Sequence, residues 1–359
     1  MNRTLVLVGG GHAHLFAVRV LLQEKTDFHI ILISPSRYQY YSGMFSGFAE
    51  GLYGEKDIRI DLKDLCERAN VTFIQDQVVS FNPSVKNAQC GRGQSVSFDA
   101  ISFDIGSESE ISSSFQDYVI PIRPNYLFTV HIENIKRSPM PVVVGAGAAG
   151  VELALSMLAW RKKHAEQKNV TLITSSELLR SFGFLTSKKI QRIASLKSLH
   201  VIEGEKVTDI TSSHVYTDKQ NSLEHTGVLW LTGAKSFDLF EEADMTTDDS
   251  GFLLVNDYLQ SPDCPFVFGA GDCVSIKTNR SLPKNGVYAV RQAPVLWGNI
   301  KKYLNERGME VFKPQNKYVA ILSTGNKEAL FTYGRFSVHS RLAWKLKHLI
   351  DGKFIRKFK

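Results

Sequence analysis

The stretch Val142-Val-Val-Gly145-Ala-Gly147-Ala-Ala-Gly150-Val-Glu152 constrains this chain more than any other. Three β-branched apolar residues predict a short buried strand, and Leu153, Ala154, Leu155, Met157 and Leu158 predict the helix that follows. Between them lies an unbroken Gly-x-Gly-x-x-Gly. Its first glycine allows a tight turn, its second lets backbone approach a pyrophosphate, and its third lets helix and strand pack closely. The phosphates would then lie over unpaired N–H groups at the positive end of the helix. A strand–helix corner that binds nothing can use the same residues, so the motif gains its weight from repetition. Leu5-Val-Leu-Val-Gly9-Gly10-Gly11-His12-Ala13-His14 is again strand, turn and helix, with His14 where the third glycine would stand. That replacement predicts looser strand–helix packing, or a histidine turned out of the contact.

Each turn has a second strand after its helix. His29-Ile-Ile-Leu-Ile33 ends in Ser34, and Val170-Thr-Leu-Ile-Thr174 ends in Ser175-Ser176. A dinucleotide fold usually places an acid there for a ribose hydroxyl. Ser34 is a weaker acceptor for that bond. Arg180 suits either a 2′-phosphate or plain solvation, so the choice between NADH and NADPH stays open. Further on, Phe266-Val-Phe268 precedes Gly269-Ala-Gly271-Asp272. An acid delivered after two glycines suits a polyol or ribitol ligand, and equally an Asx-turn or helix cap. A helix is predicted from near Gly286 to about Leu304, with N–H donors at its start for an electron-rich carbonyl. The aromatic, small-residue run Tyr38–Phe48 reads as a loop packed on the core.

With 359 residues the chain exceeds one hydrophobic core, so two or three domains are expected. Cys66, Cys90, Cys264 and Cys273 form no CxxC and have no ligand-spaced histidine, which argues against a metal site and a disulfide framework. No apolar run reaches the roughly 18 residues of a membrane span, and with an apolar strand starting at Leu5 no stretch resembles a signal peptide. A reducing, cytoplasmic setting is expected. The net charge is +7, but the seven basic residues and one acid from Arg341 onward carry +6 of it. Basicity confined to the tail argues against nucleic acid.

Taken in order, the features are Gly9 and Gly11, the strand end Phe103-Asp-Ile-Gly106, the second turn ending in Glu152, Leu231-Thr-Gly233, Gly271-Asp272, and a helix carrying Ala289 and Gln292. In that order they resemble the two-dinucleotide-binding-domain flavoproteins, the pyridine nucleotide-disulfide oxidoreductase superfamily. Within it the chain is similar to type II NADH dehydrogenases. It is closer still to the branch found fused to selenide, water dikinase, through Tyr41-Ser-Gly-Met44 and Leu282-Pro-Lys-Asn-Gly-Val-Tyr-Ala-Val-Arg-Gln292. The 359 residues carry no kinase-like stretch, so no selenium chemistry is expected of them. The resemblance implies an α/β fold of two Rossmann-like domains, the second inserted in the first. An FAD domain would span 1–110 and 245–310, an NAD(P)H domain 111–244, and a C-terminal segment 311–359. By resemblance FAD would lie on Gly9, Gly11, His12, Ser34, Gly106, Gly271, Asp272 and Ala289. NAD(P)H would lie on Gly145, Gly147, Gly150 and Glu152, with Gly233 at its mouth.

The implied activity is FAD-dependent NAD(P)H dehydrogenation, with hydride passing to flavin N5 and electrons then to a quinone. Glu152 would orient the nicotinamide–flavin junction, the plainer alternative being a first-turn acid that complements the helix dipole. Disulfide reductases of this fold carry a redox cysteine pair about where Tyr40–Phe45 stands. No cysteine falls there, which argues against a thiol relay and also disfavours sulfide oxidation. The acceptor would approach between Tyr40–Met44 and Ala289–Gln292, with Glu152 and Gln292 at the reacting end. The alternatives are a sensor or scaffold with low turnover, and a reductase of a small redox protein such as a ferredoxin.

After Phe312 a strand pair is predicted at Tyr318–Leu322 and Ala329–Tyr333. In the tail, Leu342, Leu346, Leu349, Ile350 and Phe354 recur at helical spacing among basic residues, with Trp344 beside them. That pattern fits a helix lying on an anionic membrane, which would place the protein peripherally on the inner face of the cell membrane. It fits equally a terminal helix packed on its own body with solvated lysines. His339 and His348 read as structural. Oligomeric state is not legible.

Overall fold

The computed structural model describes residues 3–164, 169–315 and 317–359. Two five-stranded parallel sheets organise the fold, as the apolar, β-branched runs predict for strands buried on both faces. The first sheet runs Val267–Gly269, Ala100–Phe103, Thr4–Val8, His29–Ile33, Thr72–Ile74 in spatial order. The second runs Val119–Pro121, Gly227–Trp230, Pro141–Val144, Thr171–Thr174, His200–Glu203. Every strand of the second sheet lies in sequence between Ala100–Phe103 and Val267–Gly269 of the first. In each sheet the central strand feeds a glycine turn and a helix, His12–Leu21 in one and Ala148–His164 in the other. This is the α/β, twice-repeated Rossmann-like architecture expected from the two turns.

Several local expectations change. Tyr38–Phe48 is not a loop: it forms strand Tyr38–Tyr40, a single turn Ser42–Met44 and helix Phe45–Ala49, whose residues are all buried. The C-terminal segment holds three antiparallel strands, not two: Val319–Gly325, Glu328–Tyr333 and Phe336–Ser340. Ser340 then caps the helix Arg341–Ile355 by accepting from Ala343 N at 3.0 Å. No helix among the described residues is long and apolar enough to cross a membrane.

Candidate functional site

The first turn shows how a histidine replaces the third glycine. His14 is fully buried, with Nδ1 at 2.7 Å from the Gly9 carbonyl and Nε2 at 2.9 Å from Ser102 Oγ. The carbonyl can only accept, so Nδ1 carries the hydrogen and Nε2 accepts from the serine. Burial lowers the His14 pKa to about 4 and keeps the ring neutral. The packing is therefore neither loose nor outward-turned: a hydrogen-bonded ring fills the space. At the second turn the same junction is closed by bare contact. A Cβ on Gly150 would lie 1.8 Å from the Gly145 carbonyl oxygen, so only glycine fits.

One cavity of about 550 Å³ opens over the first turn. Its lining includes Gly9, Gly11, His12, Ser34, Gly106, Gly271, Asp272 and Ala289, so eight positions spread over 281 residues of sequence converge on one space. Ser34 is buried, and Asp76, two residues beyond the neighbouring strand, supplies a carboxylate to the same wall. Asp76 already accepts from Gln77 N and Arg92 N at 2.8 and 3.1 Å. Asp272 faces Arg123 at 3.6 Å, and Arg123 also reaches the Gly233 carbonyl at 3.5 Å. Burial raises the Asp272 carboxyl while Arg123 and Lys284 oppose that rise. Arg123, which the sequence reading passed over, thus links Gly271–Asp272 to the strand end at Gly233.

Gln292 is placed differently from expectation. It is 2% exposed and stands behind the cavity wall, where its amide oxygen accepts from Gly271 N at 2.7 Å. It braces the glycine turn. At the start of its helix, Asn285 accepts from Val287 N and Tyr288 N, so two of the expected free donors are already satisfied.

In the second turn Gly145 has φ +106°, while a Cβ on Gly147 would meet nothing within 4 Å. That leaves open space above the turn. Glu152 ties this helix to the C-terminal segment. Its Oε1 accepts from Ser323 N at 2.7 Å and from Ser46 Oγ at 3.2 Å, and stands 3.9 Å from Lys347 Nζ. Lys347 comes from the C-terminal helix. It also pairs with Asp351 at 3.1 Å and donates to the Gly43 carbonyl at 2.6 Å. Tyr41 OH donates to Asp351 at 3.1 Å, and the Tyr41 ring stacks on Phe354 with centroids 4.2 Å apart. Phe354 and Tyr41 in turn lie against His12 in the cavity wall. A continuous set of contacts therefore runs from the cavity to Glu152. Burial alone would lower the Lys347 ammonium, but Glu152 and Asp351 outweigh it and hold the ammonium above its ordinary value. One cation serves two buried acids, and burial raises both carboxyls.

The tail forms one helix with two unlike sides. Ala343, Lys347, Asp351, Phe354 and Ile355 dock the helix on the body. Leu342, Leu346, Leu349 and Ile350 form a stripe on the outside, 43–73% exposed. Six of the seven tail basic residues are exposed, the exception being Lys347. His348 pairs with Tyr53 OH at 2.7 Å, and His339 with Thr324 Oγ1 at 2.8 Å. Cys273 donates to the Ala270 carbonyl at 3.2 Å, and burial pushes its thiol up to about 12. A thiol so held packs as a small buried group.

Comparison with known proteins agrees with this architecture. The chain is 22% identical to the NADH dehydrogenase-like protein YutJ of Bacillus subtilis, over 96% of this chain and 99% of that one. Its fold matches the sulfide:quinone oxidoreductase of Aquifex aeolicus with a TM-score of 0.84 at 20% identity, covering 99% of this chain and 91% of that one. It matches NDH2 of Plasmodium falciparum in complex with NADH, also at 0.84, with 14% identity over 100% of this chain and 98% of that one. The family model for pyridine nucleotide-disulphide oxidoreductases aligns with residues 3–293, and the chain belongs to that family.

Proposed function

We propose that the protein is a FAD-dependent NAD(P)H dehydrogenase that delivers electrons to a quinone. The observation that carries this reading is the convergence of the first glycine turn, Gly106, Gly271–Asp272 and Ala289 on one cavity. Its volume, about 550 Å³, lies within the range of about 300–1,000 Å³ common for small-molecule and cofactor sites. A Cβ on Gly106 would meet nothing within 4 Å, so that turn leaves room for a ligand. In this reading residues 1–110 and 245–310 hold FAD, 111–244 hold NAD(P)H, and 311–359 form the C-terminal segment.

FAD, when bound, supplies the hydride chemistry at N5 between the nicotinamide and the acceptor. The chain supplies the rest. Gly9, Gly11 and His12 offer backbone to the pyrophosphate, Ser34 the adenosine end, and Asp272 accepts from ribitol hydroxyls. Gln292 holds Gly271 in place beside Asp272 and is a positioning residue. Gly145, Gly147 and Gly150 cradle the nicotinamide nucleotide, with Gly233 at its mouth. Glu152, steadied by Lys347, orients the junction of the two cofactors.

The outward leucine stripe with its basic flanks supports a working place at the inner face of the cell membrane, where quinones dissolve. The purified protein should be yellow, and NADH or NADPH should bleach it anaerobically, with colour returning on addition of a soluble quinone. A flavin that neither nucleotide bleaches would refute the dehydrogenase and favour a low-turnover sensor. A flavin reoxidised by ferredoxin-type proteins but not by quinones would favour the reductase alternative.

A further inference from the structure

Asp104 follows the strand Ala100–Phe103 and directly opposes Gly9, donating its own N–H to the Val8 carbonyl at 2.9 Å. Its side chain turns beneath the first glycine turn. Oδ2 accepts from Ala13 N at 2.7 Å and His14 N at 3.1 Å, two amides at the start of the first helix. Oδ1 lies in the gap between two glycines: a Cβ would come within 2.2 Å of it on Gly11 and within 2.7 Å on Gly271. Both glycines, and Asp104 itself, line the large cavity. A buried carboxylate therefore sits on the N-terminus where a dinucleotide fold normally seats a pyrophosphate. Two anions cannot share one helix end without a countercharge.

The surroundings supply none to Asp104. Among the described residues it has no ion pair, whereas Asp272 faces Arg123 at 3.6 Å. His12 and His14 on the first helix are held neutral by burial, at about 4. Cys273 is held as a thiol, and Lys284 acts on Asp272 and Cys273. Asp76, Glu108 and Asp238 line the same cavity and add further acid. Burial is the largest influence on Asp104 and raises its carboxyl to about 7; the Ala13 and His14 amides oppose the rise, and Asp272 adds to it.

We propose that Asp104 is a cofactor-holding residue that binds FAD as a neutral acid, so that flavin uptake is coupled to uptake of one proton. Oδ2 stays on the two amides, and Oδ1, once protonated from water, donates to a phosphate oxygen of the dinucleotide. The inference rests on the flavin reading above.

Titrating FAD into the flavin-free full chain at pH 8, in buffers of different ionisation enthalpy, counts the protons. An uptake of about 0.9 proton per FAD is expected, because a group titrating near 7 is about nine-tenths ionised there. Above pH 7 the affinity should fall by up to about tenfold per pH unit. Asp104→Asn keeps an acceptor for the amides and a permanent donor toward the phosphate. It should bind FAD without proton uptake and about tenfold or more tighter than the parent at pH 8.5. Asp104→Ser, a second variant, should also lose the pH dependence. Binding by the parent without proton uptake overturns the proposal, as does an uptake that survives in either variant. No FAD binding at any pH would instead end the flavin reading itself.

Discussion

Replacing Lys347 with methionine tests whether the C-terminal helix is held to the body by charge. The Lys347 ammonium stands 3.9 Å from Glu152 and 3.1 Å from Asp351, with all three groups largely buried. Methionine keeps most of the volume and removes the charge, leaving two acids without a counterion. Breaking a buried pair in this way costs about 3–5 kcal/mol. If that energy docks the helix, its opening constant should rise by roughly two to four powers of ten. Hydrogen exchange of the backbone amides in Arg341–Ile355 reads this directly, without requiring the whole chain to unfold in one step. The pH dependence supplies the sign. In the variant the orphaned acids have folded-state pKa values raised above the unfolded ones, so the docked state binds more protons than the open state. Docking should therefore recover as pH falls from about 7.5 toward 5, by about 1.4 kcal/mol for each unit over which one carboxyl takes its proton. Lys345→Met, on the exposed side, is the control. Unchanged protection in Lys347→Met, or a loss that does not shrink at pH 5, would refute the reasoning.

The remaining expectations concern other parts of the chain. Gly147→Leu should leave the fold intact, since its Cβ meets open space, yet abolish reduction by nucleotide while FAD stays bound; loss of FAD with nucleotide reduction spared would reverse the assignment of the two sites. His14 has a folded pKa near 4 against 6.5, so the unfolded state binds more protons between those values and stability falls as pH drops through that window. The loss from this one ring is about 3 kcal/mol by pH 4, and His14→Gln, which keeps two hydrogen bonds without titrating, should flatten the urea-midpoint profile between pH 6.5 and 4.5. Leu346→Glu with Leu349→Glu should abolish sedimentation with anionic vesicles while nucleotide still bleaches the flavin; binding to vesicles that is unaffected would dismiss the membrane role of the stripe.

Much of the fold was legible because it is written in local signals. Glycine turns between a β-branched strand and an apolar helix have one dominant structural meaning, and two of them in one chain imply two parallel sheets. The order of the later motifs marked eight cavity positions from Gly9 to Ala289. What stayed hidden are the contacts that depend on burial between distant segments. Asp104 is an unremarked letter in Phe103-Asp-Ile-Gly106 until the strand register puts it under Gly11 and Gly271. Lys347 looks like one more tail lysine, because sequence spacing cannot say which side of a helix meets the body. Gln292 looked exposed to chemistry, and only the packing shows it holding Gly271. Local backbone preference and apolar periodicity act over a few residues and are therefore visible in the chain. Charge pairing and side-chain burial depend on which segments meet, and the tertiary structure alone decides that.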